Sequence, residues 1–279
     1  MKISIITPVY NAVNTLEKTI QSVIEQKLRS QLEYIIIDGG STDGSIGIVE
    51  RYLDKIDVFI SEKDQGIYDA MNKGICRATG DVIGIINADD WYNDGALGIV
   101  EKTFIAEPDI SIIYSPINHY INGVYISTFI PGKLDNLIFK FTLHHPSCFV
   151  KKSVYERLGL FNISYSMSGD YDFIFRAYTS GEKFHLVDTP LASYSLNGMT
   201  GQLKNKLTMI QESSWVASAF VKQSSTNLAL KHRLFYLNWL LRELITFPIK
   251  YLDPFIIIKI KAVLRRRLGK LSTDQFGSW

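Results

Sequence analysis

Two adjacent carboxylates follow a short apolar run, and together they could hold a metal ion. The run lies within residues 80–91 and is rich in Ile and Val, so it predicts a buried strand that ends just before Asp89 and Asp90. Ligands of open α/β sheets bind at the carboxyl ends of the strands. Adjacent carboxylates repel each other, and Mg²⁺ or Mn²⁺ held by carboxylates and substrate phosphates would compensate them. The alternative for an isolated Asp-Asp pair is a solvated turn or a helix N-cap.

Two further acids are predicted to reach the same edge of the sheet. Asp38 follows the strand of residues 34–37, and Asp64 follows a strand over residues 56–60. The first 90 residues alternate as β-α-β-α-β-α-β, which is typical of a parallel sheet with helices on both faces. Three separate turns therefore deliver carboxylates to one edge. An acid in such a position can accept a hydrogen bond from a ribose hydroxyl or a base.

The second half of the chain predicts a mixed sheet and one more candidate acid. Asn122-Gly123 between two apolar runs is a strong hairpin signal. Asp170 stands at the start of a predicted helix, where it either caps the helix or acts as a general base in the cleft. His144 and His145 precede a strand, and both a contact with acceptor or phosphate and a structural role are open.

Composition places the chain among globular proteins of a reducing compartment. It has 279 residues, 46% hydrophobic and 21% charged, with a net charge of +2. Cys76 and Cys148 are far apart and predict buried thiols rather than a disulfide. We recognise no signal peptide, no ordinary spanning helix and no nucleic-acid partner. The Gly-rich loop at 39–44 matches neither a P-loop nor a dinucleotide fingerprint.

Five motifs in order make the chain resemble the family 2 glycosyltransferases, which are inverting enzymes with the GT-A fold. They lie at residues 5–11, 37–45, 64–74, 87–90 and 169–172. Within the third, the stretch at 66–74 is most similar to enzymes of bacterial capsule, colanic-acid-type and O-antigen assembly. The resemblance implies an α/β catalytic domain over 1–200, with a mixed, mainly parallel sheet flanked by helices. Residues 201–279 would form a helical C-terminal extension.

The resemblance also implies a role for each motif residue. The donor would be bound by residues of the first four motifs: Thr7, Pro8, Tyr10, Asp38, Asp64, Asn87 and Ala88. Asp89 matches the last acid of the metal-binding Asp-x-Asp motif, with Asp90 as the alternative ligand for Mn²⁺ or Mg²⁺. Asp170 matches the catalytic base. Asn87 and Gly169 depart from the family, which has Asp and Glu at these positions.

The expected activity is sugar transfer from a nucleotide-diphosphate sugar, in the first instance a UDP-sugar. The acceptor would be a hydroxyl of a glycan, lipid-linked, in bacterial surface polysaccharide synthesis. A sugar nucleotidyltransferase is one alternative, but it needs a basic Gly-rich loop that residues 7–11 lack. A non-catalytic module that binds nucleotide sugars is another, and the presence of Asp89 and Asp170 argues against it.

The C-terminal part predicts helices over residues 203–247 and a basic amphipathic helix after Asp253-Pro254. Residues 250–279 carry seven Lys and Arg against two Asp. Such helices lie in anionic membrane interfaces, although packing on the catalytic domain is the alternative. We therefore expect a cytoplasmic protein that contacts the inner face of the cell membrane. The loop at 197–201 either closes over the diphosphate or is an ordinary glycine turn.

Overall fold

The computed structural model describes residues 1–28, 31–196 and 203–249. Contacts divide the chain into two units, Met1–Ala217 and Ser218–Trp279. The strands are β1 (Lys2–Val9), β2 (Gln31–Asp38), β3 (Val58–Ser61), β4 (Val82–Ile85), β5 (Trp91–Tyr92), β6 (Ile112–Tyr114), β7 (Ile117–Ile121), β8 (Val124–Phe129), β9 (Phe149–Lys151), β10 (Phe184–Leu186) and β11 (Ala192–Ser195). The helices of the first unit are α1 (Leu16–Ile24), α2 (Ser45–Glu50), α3 (Ile67–Arg77), α4 (Ala96–Ala106), α5 (Lys152–Leu158), α6 (Gly169–Thr179) and α7 (Leu203–Val216).

The main sheet has seven strands in the order β10-β6-β9-β4-β1-β2-β3. All neighbours are parallel except β9, which runs antiparallel to β4 and β6. Ile3, Ile5 and Ile6 on β1 are fully buried, because β1 lies inside the sheet and helices cover both of its faces. The predicted α/β fold with a mixed, mainly parallel sheet is confirmed.

A second sheet of four strands, ordered β5-β11-β7-β8, lies beyond the main one. The predicted hairpin is present as β7 and β8, and both of its turn residues are left-handed, Asn122 at φ 49° and Gly123 at φ 77°. The two-residue strand β5 was not predicted from the sequence. It pairs antiparallel with β11, so the chain directly after Asp90 is fixed to the second sheet.

Helix α3 packs closely on the central strand and starts at the sheet edge. A Cβ added at Gly74 would lie 2.4 Å from Cγ2 of Ile6, so only glycine permits this separation of helix and strand. The first turn of α3 is thereby held next to the carboxyl ends of the strands, directly after the loop that carries Asp64.

The predicted helices of residues 203–247 are present as α7 and, in the second unit, α8 (Ser218–Ser224) and α9 (Thr226–Ile249). No helix within residues 1–28, 31–196 and 203–249 is long and apolar enough to cross a membrane. The predicted loop at 197–201 and the predicted basic helix after Asp253 lie outside the described residues. The predicted domain boundary at residue 200 stays a prediction.

Glu33 on β2 connects the start of β1 with the segment before β4 through hydrogen bonds. Its buried carboxylate, 5% exposed, accepts hydrogen bonds from Lys2 Nζ at 2.7 Å, Ser4 Oγ at 2.5 Å and Thr79 N at 2.7 Å. Burial alone would raise the pKa of this carboxyl. The donors from Lys2, Ser4 and Thr79 outweigh it and lower the pKa to about 2.

We expect Glu33→Gln to destabilise the protein by about 1–2 kcal/mol at pH 7, a value that allows for solvent screening at the Lys2 ammonium. Because the folded pKa is depressed, this stabilisation is complete above about pH 4.5 and is lost as the pH falls towards about 2. Urea unfolding at several pH values measures it. Glu50→Gln, an exposed carboxylate at the end of α2, should leave the free energy of unfolding unchanged. An equal loss in both variants would contradict the assignment.

Candidate active site at the carboxyl edge of the sheet

Asp38 ends β2 and organises the loop that follows it. The carboxylate is fully buried, and its Oδ2 accepts from Gly40 N and Ser41 N at 3.0 Å each and from Ser61 Oγ at 2.8 Å. The loop after β2 and the end of β3 are thus fixed to one acid. The predicted contact of Asp38 with the base of the donor stays a prediction.

Asp64 lies directly against the loop after β2. A Cβ added at Gly39 would lie 2.3 Å from its Oδ2, so the residue beside Asp38 leaves the space for this carboxylate. Asp64 Oδ1 accepts from Gly66 N at 2.9 Å, which holds the turn into α3. The structure therefore brings Asp38 and Asp64 together at the predicted edge.

The end of β1 divides into a buried and an exposed part. Thr7 is fully buried, with its Oγ1 3.1 Å from the hydroxyl of Tyr34, and Pro8 is buried beside it. Tyr10 is 66% exposed at the end of the strand. Of the residues predicted to bind donor here, only Tyr10 has a side chain that is open to a ligand in this structure.

Asp90 anchors the turn after β4 to the second sheet. It is 1% exposed, with Oδ1 accepting from Ser195 N at 3.0 Å and Oδ2 from Asn87 Nδ2 at 3.2 Å. The interpretation of Asp89-Asp90 as a solvated turn is therefore wrong for Asp90. Burial raises the pKa of the Asp90 carboxyl well above its usual range, and the charge of Asp89 adds to the effect.

The side-chain oxygens of Asp89 and Asn87 Oδ1 accept no hydrogen bond from the other residues that the structure describes. Burial raises the pKa of the half-buried Asp89 carboxyl, and among the described residues only its own backbone N–H opposes that shift. Asn87 Oδ1 is buried with no partner in that same part, and Ala88 between them is buried. One carboxylate and one amide oxygen fit a divalent cation whose remaining ligands are substrate phosphates.

No group of three or more His, Cys, Asp or Glu side chains in residues 1–28, 31–196 and 203–249 could hold a metal ion. A cation at Asn87 and Asp89 would therefore depend on oxygens of a bound ligand. This donor set is typical of Mg²⁺ or Mn²⁺ held between one or two carboxylates and a diphosphate.

Asp170 is the second residue of α6, and Ser168 holds the N-cap position instead. Its Oδ1 accepts from the hydroxyl of Tyr68 at 3.0 Å and from Tyr171 N at 2.9 Å. Burial raises the pKa of the carboxyl to about 6, although both hydrogen bonds lower it. A carboxylate with this pKa is ionised near neutral pH and basic enough to accept a proton.

A small cavity of about 20 Å³ connects Asp170 to the end of β4. Its lining includes Asp170, His145, Cys148 and Ile85, the last residue of β4. The volume is sufficient for about one water molecule. Nε2 of His145 is buried with no partner among the described residues, and burial lowers the pKa of His145 to about 4. His145 therefore lies beside the candidate base as a neutral imidazole.

His144 belongs to the second sheet rather than to this cavity. Its ring lies 4.5 Å from that of Phe129 and 5.4 Å from that of Tyr194, centroid to centroid. Burial lowers its pKa to about 3, with smaller contributions from His119 and His145. The two predicted histidines are thus separated, and a role of either towards acceptor or phosphate stays a prediction.

A continuous series of contacts connects the predicted acids. It runs from Asp38 through Gly39 to Asp64, through Gly66 into α3, from Tyr68 to Asp170, and across the cavity to Ile85, two residues before Asn87. Sequence reasoning did not single out Tyr68 or Ser195. Tyr68 lies inside a recognised motif, but no local pattern indicates its partner 102 residues away.

The sequence model of Glycosyl transferase family 2 matches residues 4–157, more than half of the chain. The chain belongs to this family. It is therefore a glycosyltransferase. The match covers β1 to α5 and so includes the strand ends that carry Asp38, Asp64 and Asp89.

Relatives of known name agree with this assignment. A PGL/p-HBAD biosynthesis glycosyltransferase of Mycobacterium bovis is 29% identical over 187 residues, which cover 63% of this chain and 70% of that protein. Glycosyltransferase GlyA of Streptococcus pneumoniae is 29% identical over 114 residues, 40% of this chain and 16% of that protein.

Solved structures show the GT-A fold. S. aureus TarS 1-349 in complex with UDP-GlcNAc superposes with a TM-score of 0.62 at 16% identity, covering 79% of this chain and 71% of that one. The mannosyltransferase PcManGT from Pyrobaculum calidifontis, in complex with GDP-Man and Mn²⁺, gives 0.65 at 17% identity, covering 94% and 80%. This chain spans 39% of a longer TarS chain.

Proposed function

We propose that this glycosyltransferase moves a sugar from a nucleotide-diphosphate sugar, in the first instance a UDP-sugar, to a hydroxyl of a glycan acceptor with inversion. The observation that carries the proposal is the buried Asp170 carboxyl, whose pKa burial raises to about 6. It lies within the same series of contacts as Asp38, Asp64 and the turn of Asn87. The UDP-GlcNAc bound to TarS and the GDP-Man bound to PcManGT support a nucleotide sugar as donor.

In this mechanism Asp170 accepts the proton of the acceptor hydroxyl as that oxygen attacks the anomeric carbon. The bond to the nucleoside diphosphate breaks on the opposite face, so one displacement inverts the anomeric configuration. No nucleophile of the protein takes part. Tyr10 is exposed and Asp64 is half-buried near the strand ends, and both would contact the nucleoside.

Asn87 and Asp89 would hold Mn²⁺ or Mg²⁺, with Asp89 as the main ligand of the chain. Both oxygens of Asp90 already accept hydrogen bonds from Ser195 and Asn87, so Asp90 supports the turn. The bound cation would offset the negative charge that grows on the departing nucleoside diphosphate. The Mn²⁺ in PcManGT supports this choice of cofactor.

Asp170→Asn should lower sugar transfer by at least about 100-fold, because the amide accepts no proton. Release of nucleoside diphosphate from a panel of UDP- and GDP-sugars, with Mn²⁺ or EDTA, identifies the donor and measures the rate. Wild-type activity should fall as the pH drops through about 6, where Asp170 becomes protonated. Asp188→Asn, at an exposed position, is the control. Wild-type transfer by a folded, donor-binding Asp170→Asn protein would refute the mechanism.

Asp89→Asn and Asp90→Asn should fail in different ways. The first should weaken Mn²⁺ binding in the presence of UDP by at least about tenfold and leave stability unchanged. The second should lower the free energy of unfolding by about 1–2 kcal/mol. The amide nitrogen that replaces one carboxylate oxygen would face an N–H donor, so one of the two buried hydrogen bonds of Asp90 is lost. Electron paramagnetic resonance of free Mn²⁺ and urea unfolding measure the two effects. The reverse pattern would make Asp90 the principal ligand.

We further propose that the acceptor is lipid-linked and that the basic residues 250–279 bind the inner face of the cell membrane. The support is their composition, seven Lys and Arg against two Asp. Replacing Arg265, Arg266 and Arg267 by Ala in the full chain should reduce binding to anionic liposomes about 100-fold, at about 1 kcal/mol per charge. Flotation measures it, with neutral liposomes as the control. Unchanged flotation on anionic liposomes would oppose the proposal.

A further inference from the structure

The side chain of Tyr68, on α3, reaches the candidate base on α6. Tyr68 is the second residue of α3, is 6% exposed, and donates its hydroxyl to Asp170 Oδ1 at 3.0 Å. Its ring packs against that of Phe161, with 5.7 Å between the centroids. Asn72, one turn further along α3, exchanges two hydrogen bonds of 2.9 Å with the backbone of Phe161. The Tyr68 ring is therefore fixed by α3, to which it belongs, and by Phe161, whose backbone is hydrogen-bonded to the same helix.

Gly169 provides the space that this ring occupies. A Cβ added at Gly169 would lie 2.9 Å from both Cδ2 and Cε2 of Tyr68, closer than real Cβ contacts allow. Gly169 does not have a positive φ angle, so the backbone conformation itself does not require glycine there. The close approach of the Tyr68 ring is therefore what requires glycine before Asp170.

We propose that Tyr68 is a positioning residue for the general base: its hydroxyl holds the Asp170 carboxylate in one orientation and stabilises the ionised form, and Gly169 admits its ring. The inference rests on the role proposed above for Asp170. It adds to that role a hydrogen-bond donor on α3, a helix that follows the Asp64 loop directly. Donor binding at Asp64 and proton transfer at Asp170 would then share one rigid element.

Other titratable groups around Asp170 do not replace this donor. His145, Cys148 and Tyr155 line the same cavity, and burial keeps all three neutral by lowering the pKa of His145 and raising those of Cys148 and Tyr155. Glu212 on α7 acts on Asp170 only as a negative charge that raises its pKa.

The carboxylate of Glu212 accepts from the backbone N–H groups just before α6, at 2.9 Å from Ser166 and 2.8 Å from Met167. The pKa of Asp170 is therefore raised by burial and by the charge of Glu212, and it is lowered by three donors: the Tyr171 N–H, the Tyr68 hydroxyl and the backbone N–H of Asp170 itself. Of these three, only the Tyr68 hydroxyl belongs to a side chain that a substitution can remove.

Tyr68→Phe removes the hydroxyl and keeps the ring that fills the space beside Gly169. The ionised form of Asp170 then loses a donor, so we expect its pKa to rise by about one unit. Carboxyl ¹³C NMR of the aspartate-labelled full chain measures this without any substrate, and Asp170→Asn assigns the resonance. Turnover of the donor should fall about fivefold at pH 6, because the ionised fraction of Asp170 drops from about one half to about one tenth. Above pH 8, where Asp170 is ionised in both proteins, it should fall by less than about threefold.

Tyr178→Phe is a matched control on the same helix as Asp170. The Tyr178 hydroxyl donates to Asp135 Oδ1 at 2.7 Å, away from the cavity, so its loss should leave both the Asp170 titration and the pH profile unchanged. Gly169→Ala should raise the pKa of Asp170 in the same direction as Tyr68→Phe, because the new Cβ displaces the ring. These results together would support the inference.

An unchanged Asp170 titration in Tyr68→Phe would overturn the inference, as would a loss of activity that is equal at pH 6 and pH 8. Failure of the proposed function looks different. In that case Asp170→Asn transfers sugar at the wild-type rate, while the NMR titration still reports whether Tyr68 acts on Asp170.

Discussion

The arrangement of this site depends on how buried carboxylates are provided with hydrogen-bond donors. A carboxylate removed from water is stable as an anion only if protein groups donate to it, and the acids at this sheet edge differ in that respect. Asp38 and Asp90 each accept from donors in two different segments of the chain, and they hold loops. Asp170, the proposed base, has two donors on Oδ1 and lines the small cavity that reaches the end of β4. The two supporting acids therefore differ from the proposed base in what surrounds the carboxylate.

The same contacts give the site its rigidity. Asp90 joins the turn after β4 to the end of β11, so both sheets support the oxygens of Asn87 and Asp89. Two glycines permit close packing at the site, because a Cβ at Gly39 would clash with Asp64 and a Cβ at Gly169 would clash with Tyr68. The proposed transfer would need the donor, the cation and the base to be held in a fixed relation, and rigid strand ends provide that better than free loops.

Much of the fold could be predicted because its signals are local. Apolar runs gave the strands of the main sheet, and Asn122-Gly123 gave the hairpin, since their turn geometry requires residues that tolerate positive φ. The strand β5 escaped prediction because two residues carry no periodicity, and it exists only through its pairing with β11. Thr7 belongs to a recognised motif, yet its hydroxyl is buried against Tyr34, a partner that no motif indicates.

The sequence by itself determined that Asp38, Asp64, Asp89 and Asp90 meet at one edge of a sheet. In a sheet of parallel strands joined by helical crossovers, the carboxyl ends of the strands lie at the same edge. Only the tertiary structure decided what each acid can do there. Asp90 receives the N–H of Ser195 from 105 residues away, and Asp170 receives the hydroxyl of Tyr68 from 102 residues away. Donors of this kind set the ionisation and orientation of a carboxylate, and they come from distant parts of the chain that fold against it.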